Sequence, residues 1–257
     1  MKFFLKAIIF FIAFFSSSMA DAQVKKKSTN KTAIAKHKIT RPKKTTPVNQ
    51  TPEKKLGARV KITTNMGDIV VLLYDKTPRH KDNFIKLVKE HFYDSLLFHR
   101  VINTFMIQGG DPNSKNAAPG EMLGNGDVGY TIPAEFDTTL YHKRGALCAA
   151  RTDNPEKASS GCQFYIVQGK TSSDGELDMI EMRNRIKFSA AKRMTYKMTG
   201  GTPKLDMNYT VFGEVETGME TVDKIATAQR DGNNRPLSDI RMKMELLTEK
   251  NELEKKQ

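Results

Sequence analysis

FHRVINTFMIQGGD, residues Phe98–Asp111, mixes apolar and polar side chains without a clean helical or strand period. One arginine, Arg100, and one glutamine, Gln108, sit among Phe, Val, Ile and Met. An arginine in such surroundings forms a buried ion pair, snorkels to the surface, or is held for chemistry. The residues around it decide which.

Upstream, ARVKITT and GDIVVLLYD alternate apolar and polar positions, Val60 and Ile62, then Ile69, Val71 and Leu73. Asn65-Met66-Gly67-Asp68 supplies the turn of a β-hairpin between them. Thr77-Pro78 opens a helix, Thr77 as N-cap and Pro78 in the first helical position, with Phe84, Leu87, Val88 and His91 on one face. Downstream, Gly-, Pro- and Asn-rich loops run to Pro133. RGALCAA, GCQFYIVQG and NYTVFGEV read as short strands. GMETVDKIATA is a second amphipathic helix, with Met219, Val222 and Ile225 on one side. RMKMELL closes with Met242, Met244 and Leu246 alternating. Many short strands, two helices and long loops predict a mainly β fold, a closed antiparallel barrel plugged by helices. A charged excursion over 174–198, ended by Gly200-Gly201, reads as a helical insertion, either a packing flap or a lid that touches substrate.

The net charge of +13 is uneven. Residues 23–61 hold 13 Lys or Arg against Glu53, whereas residues 62–257 balance 27 bases with 27 acids. Residues 1–22 carry Lys2 and Lys6, an apolar run Ala7–Phe15, and small residues with Ala20 or Ala22 as cleavage positions. That is the layout of a signal peptide; a membrane anchor needs ~20 apolar residues, about twice this run. Residues 23–57, rich in Lys, Thr and Pro without aromatics, read as a disordered basic tether. It serves either to attract an anionic envelope surface or as a soluble spacer; export argues against nucleic acid. The expected organisation is therefore 1–22 signal peptide, 23–57 tether, 58–250 folded domain and 251–257 charged tail. Cys148 and Cys162 are two cysteines without a disulfide framework, read as buried free thiols.

HExxH, CxxC, GxSxG and a phosphate-cradling glycine loop do not occur, and the five histidines show no metal-ligand spacing. Rotation about an X-Pro peptide bond needs none of these. Its barrier of ~18–20 kcal/mol is lost amide resonance. A catalyst needs an apolar pocket for the proline ring and a fixed donor aimed at the twisting amide. A permanently charged, rigid, multi-donor arginine suits that task.

FHRVINTFMIQGGD resembles the signature of the cyclophilins, the cyclosporin-type peptidyl-prolyl isomerases: Phe-His-Arg, two aliphatics, a turn, Phe-Met, an aliphatic, then Gln-Gly-Gly-Asp. GCQFYIV is similar to a second family segment, usually Ser-Gln-Phe-Phe-Ile, and LDMNYTVFGEV to a third. The resemblance spans about Ala58 to Leu247. It implies an eight-stranded antiparallel closed barrel capped by two α-helices, with Arg100 as the catalytic arginine and Gln108 helping to hold it and the substrate carbonyl. It places Phe105, Met106, Tyr165, Leu205 and Tyr209 around the proline ring. Ala149, Ala150, Arg151 and Gln163 would meet the substrate backbone.

The implied enzyme needs no cofactor or metal, works as a monomer, and takes proline-containing polypeptides. The alternative from another class is a non-catalytic chaperone or scaffold that binds such segments in the envelope. Tyr209 stands where many bacterial members have tyrosine. With the tether, it points to an exported Gram-negative, Bacteroidetes-like member working in the periplasm, with secretion or tethering by an uncleaved signal as alternatives. Lys204 stands where drug-sensitive relatives carry tryptophan, which implies weak cyclosporin sensitivity. Asn103-Thr104 departs from the family's Pro-Gly.

Overall fold

The structure, a computed structural model, describes residues 57–247. The signal peptide over 1–22, the tether apart from Gly57, and the tail over 251–257 lie outside the described residues.

The strands are β1 (Arg59–Thr64), β2 (Gly67–Leu73), β3 (Arg100–Ile102), β4 (Met106–Gly109), β5 (Thr131–Ile132), β6 (Ala146–Ala149), β7 (Ser159–Ser160), β8 (Phe164–Val167), β9 (Val211–Thr217) and β10 (Met242–Leu247). The helices are α1 (Pro78–Lys89), α2 (Asp174–Asn184), α3 (Ala190–Met198) and α4 (Met219–Ala226). Eight strands form one curled antiparallel sheet in the order β10-β1-β2-β9-β6-β8-β4-β3, and β5 pairs with β7 apart from it. The hairpin read from the sequence is β1–β2, with Val60 opposite Val71 and Ile62 opposite Ile69, all four fully buried.

The barrel is open rather than closed. β3 and β10 are the two edges of the sheet and do not pair as strands. The seam is held by one bridge, Leu97 to Arg241, and by Phe98 N–H donating to Ile240 O and Met242 N–H to Leu96 O, each 2.9 Å. β3 cannot continue this pairing because Val101 N–H already donates to Asn234 O at 2.9 Å. The edge is thus covered by a loop instead of a strand.

Inside the curl, Val60, Ile62, Ile69, Val71, Phe98, Leu147, Phe164 and Ile166 form the main core, with Phe84, Leu87 and Val88 of α1 and Val222, Ile225 and Ala226 of α4 closing its ends. β6 and β8 are buried on both faces. Leu147, Ala149, Phe164 and Ile166 point into the main core, while Ala146, Cys148, Tyr165 and Val167 build a second cluster on the outer face. This two-sided burial explains why ALCA and FYIV are continuous apolar runs without alternation.

Two local readings change. Thr77 is the N-cap of α1, followed by Pro78, and its C=O accepts from Lys81 N–H at 3.0 Å, but its side chain makes no capping bond. Instead Glu135 accepts hydrogen bonds from the Arg79 and His80 N–H groups at 3.1 and 3.0 Å, and its Oε2 also meets His80 Nδ1 at 2.7 Å. The free N–H groups at the helix start are satisfied by a carboxylate 55 residues away in sequence. His91 does not share the buried face: it lies past the helix end with φ 55° and is exposed. Cys148 and Cys162 are buried free thiols, as the sequence suggested.

The 174–198 excursion is α2 and α3. Leu177, Phe188 and Tyr196 form a small core of their own with Tyr141, Ile180 and Ile186 against it. α2 begins with a full capping box between Ser173 and Glu176.

Candidate active site

Arg100 and Gln108 face each other across β3 and β4, and Arg100 Nη1 donates to Gln108 Oε1 at 3.1 Å. Gln108 Nε2 donates onward to Gln163 Oε1 at 3.0 Å. Gln163 Nε2 donates to Gly124 O and Gly126 O at 3.0 and 2.7 Å. The guanidinium is therefore aimed by a chain of amides, each acceptor oxygen fixed by what its own NH2 group donates to. Arg100 is half-buried and has no ion pair among the described residues. Burial lowers its pKa, the nearby Tyr209 acting the other way, and it stays a cation at any working pH. A half-desolvated cation with unused donors is an electrostatic tool, because each remaining N–H is worth more there than in water.

Gly110 and Asp111 show why the motif ends as it does. Gly110 has φ 93°, and a Cβ there would lie 2.3 Å from Cys162 O. Asp111, fully buried, accepts from Asn113 N–H at 2.8 Å, which caps a short 3₁₀ turn over Pro112–Asn116, and from Gly124 N–H. One carboxylate thus fixes the same loop that Gln163 holds.

Beside Arg100 opens a cavity of about 360 Å³. Phe105, Met106, Tyr165, Leu205 and Tyr209 line it, all five residues expected around a proline ring, together with Arg100, Gln108, Ala150 and Arg151. It is the outer-face cluster left open on one side, since Met106, Ala150 and Tyr165 belong to that cluster and Phe105, Leu205 and Tyr209 pack against it partly exposed. Tyr209 stands edge-on to Tyr165, ring centroids 6.0 Å apart, and Arg151 lies over the Tyr209 ring at 4.8 Å. Lys204 covers Phe105 at 5.0 Å, at the position expected to weaken drug binding.

The strand Ala149–Arg151 offers less backbone than expected. Ala149 N–H donates to Thr210 O and Ala150 N–H to Gln163 O, each 2.9 Å, while Ala150 O accepts from Ser160 N–H at 2.8 Å. The peptide groups of Arg151 make no backbone hydrogen bond among the described residues, so that is where an extended ligand can pair. Gln163 meets protein, not open cavity.

Several site residues escaped the sequence reading. His99, Leu123, Gly124 and Asn125 also line the cavity. His99 is buried with neither ring nitrogen partnered. Desolvation drives its pKa down to about 4, against the pull of Asp111 and helped by Arg100 and Arg235. Tyr165 is held from behind: its hydroxyl pairs with His142 Nε2 at 2.9 Å, and His142 Nδ1 donates to Asp206 Oδ1 at 2.9 Å. Asp206 Oδ2 accepts from Tyr196 Oη at 2.8 Å and Lys192 Nζ at 3.4 Å. Burial pushes the Asp206 pKa up, but the His142 hydrogen bonds and charge and Lys192 outweigh it and hold the group ionised. No cluster that could hold a metal occurs among the described residues.

The Asn103-Thr104 departure has a structural account. Phe105 N–H donates to Ile102 O at 3.0 Å, and Thr104 has φ 62°, the third position of a type II turn. A β-branched residue is strained there. Gln168 restrains it: its Oε1 accepts from Thr104 N–H at 2.6 Å while its Nε2 donates to Asp223 of α4 at 3.0 Å.

A curled antiparallel sheet with an open apolar pocket on its outer face, and a braced guanidinium at the rim, defines a protein that grips an apolar ring and polarises an adjacent amide. Comparison with known proteins agrees. The model of the family "Cyclophilin type peptidyl-prolyl cis-trans isomerase/CLD" matches residues 59–245. A Streptococcus pyogenes protein named "Putative bifunctional phosphatase/peptidyl-prolyl cis-trans isomerase" is 36% identical over 191 residues, covering 73% of this chain but only 38% of that protein. A Staphylococcus haemolyticus protein named "Putative peptidyl-prolyl cis-trans isomerase" is 34% identical over 183 residues, 71% of this chain and 87% of the relative. The crystal structure of a Cryptosporidium parvum cyclophilin type isomerase shares the fold, with a TM-score of 0.54 at 23% identity over 74% of this chain and 98% of that one. The chain belongs to the cyclophilin family of peptidyl-prolyl cis-trans isomerases.

Proposed function

We propose that this isomerase accelerates rotation about X-Pro bonds in polypeptides that fold outside the cytoplasm, with Arg100 as the catalytic donor. The observation that carries the reading is the Arg100 guanidinium, free of any carboxylate among the described residues, braced by Gln108 beside a cavity of about 360 Å³. The proline ring would sit among Phe105, Met106, Tyr165, Leu205 and Tyr209. As the amide twists, its nitrogen regains a lone pair and its carbonyl loses resonance. Donors that meet these atoms better in the twisted state than in either planar one lower the barrier. The related Cryptosporidium structure was solved in the presence of the dipeptide Ala-Pro, which supports a proline-containing ligand here.

Arg100→Ala tests the reading in a peptide isomerisation assay. Loss of one preorganised donor costs about 10²–10³-fold in rate. A variant within twofold of wild type would remove Arg100 from the mechanism. The site of action rests on the composition of residues 1–22; a mature N-terminus at Asp21 or Gln23 with the protein in the periplasmic fraction supports periplasmic export, and one at Met1 with the protein in the cytoplasmic fraction refutes it.

A further inference from the structure

We propose that α2 builds a second substrate cleft beside the proline pocket, which takes apolar residues that follow the proline in the same polypeptide. The proposal rests on the isomerase reading of the neighbouring pocket. The cleft measures about 1110 Å³, three times the proline pocket. Met179, Ile180 and Met182 of α2 form one wall, and Phe105, Pro203 and Leu205 lie opposite. Phe105 and Leu205 line both cavities, so the two adjoin across these side chains.

The two methionines of this wall are not core, whereas Ile180 also packs on the insertion's own small core. α2 buries only Leu177 and Glu181, while Met179 and Met182 are 61% and 78% exposed. Methionine is flexible and polarizable, the side chain used where one surface must fit many sequences. The wall is also fixed in place. Glu176 caps α2 with Ser173, Asn184 Nδ2 donates to Lys204 O at 3.2 Å, and α3 reaches Asp206 through Lys192 and Tyr196. The bonds from Asn184, Lys192 and Tyr196 attach the insertion to the segment that carries Leu205.

Direction follows from the rim. Arg100, Ala150 and Arg151 lie on one side of the proline pocket, where the carbonyl before the proline must face its donor and extended backbone can pair. The chain leaving the proline passes the other side, over Phe105 and Leu205, into the cleft. The cleft rim carries Lys170, Arg183 and Lys204 against Glu176, so it disfavours a basic segment.

The test uses the mature full-length protein and labelled peptides with an Ala-Pro core. One series adds three leucine or phenylalanine residues after the proline, a second adds them before it, and a third adds serine after it. Affinity is read by fluorescence polarisation and KM by isomerisation. We expect the apolar extension after the proline to tighten Kd and lower KM about 10-fold, the effect of burying a few methylenes. Met179→Ser/Met182→Ser should bring the ratio of extended to unextended peptide near one. The proposal is overturned if the gain survives in that double variant, or if only the extension before the proline shows it. Self-association that the double variant abolishes would give the face to a second copy and overturn it too. Isomerase activity of the unmodified protein separates the two readings. An extension effect on Kd in a protein without isomerase activity keeps the cleft and sinks the isomerase reading. Normal isomerisation without an extension effect does the reverse.

Discussion

Thr104 holds a conformation its side chain disfavours, at the turn that joins the arginine strand to the pocket. Its φ of 62° places a β-branched residue in the left-handed region. For a residue with a Cβ this costs roughly 1–2 kcal/mol. Glycine removes that strain but adds ~0.5–1 kcal/mol of backbone entropy to the unfolded chain. Thr104 is exposed and its hydroxyl makes no hydrogen bond among the described residues, so truncation loses little packing. The balance favours Thr104→Gly by about 0.5–1 kcal/mol, a rise in Tm of roughly 2–4 °C at most for a domain of this size. Thr104→Asn, which tolerates the left-handed region, should gain part of this, and Thr104→Val nothing. Urea unfolding of the set at constant m measures it. Gln168→Ala supplies the control. It removes the acceptor of Thr104 N–H and the donor to Asp223, and should destabilise by about 1 kcal/mol. If Thr104→Gly destabilises the protein, strain at this turn is not what the Gln168 bond opposes, and the reasoning fails.

Stability should fall as pH drops from about 6.5 to 4, because the folded His99 resists a proton that the unfolded chain takes up. With a folded pKa of about 4 the loss at pH 4.5 is on the order of 2–3 kcal/mol, and His99→Gln should remove most of it in urea melts at pH 7 and 4.5. Tyr165→Phe should cost about 1–3 kcal/mol, since it leaves His142 Nε2 buried without its partner; an unchanged melting temperature would show that the hydroxyl is not part of the network.

What the sequence disclosed follows the range of the interactions. The hairpin β1–β2 and the pair Arg100–Gln108 are written in neighbouring residues, the latter eight positions apart. Two-residue periodicity and one motif suffice for them. Thr77 is the N-cap of α1 as its sequence signals, but the side chain that satisfies the helix start, Glu135, arrives from another loop. A closed barrel was expected from many short legible strands, and its count of eight from the family resemblance. What keeps it open is a single backbone bond from Val101 to the 230s loop, which no pattern encodes. The same holds for Tyr165. A ring in the pocket could be read from GCQFYIV, but not the hydroxyl's partner, since His142 and Asp206 meet across 64 residues. His99 stood inside the opening motif, yet only the fold shows that its ring nitrogens lack partners.

Asp206 bears on how the insertion can be tested. A buried carboxylate is costly unless fully paired. This one is paired by three groups: His142 behind the pocket wall, and Lys192 and Tyr196 of α3. Two of the three belong to the insertion. Deleting residues 174–198 would therefore do more than remove a surface. It would strip Asp206 Oδ2 of both partners, next to Leu205 and one bond from the histidine that holds Tyr165. It would also bare Tyr141, which packs on Tyr196 at 5.6 Å. The deleted protein should be destabilised by about 3 kcal/mol or more, as when a buried pair loses one side, with a proline pocket that no longer holds its shape. Loss of activity in that protein would then report a damaged pocket rather than a lost cleft. A deletion that melts within 2 °C of the parent and keeps its rate on short peptides would show that Asp206 does not couple the two.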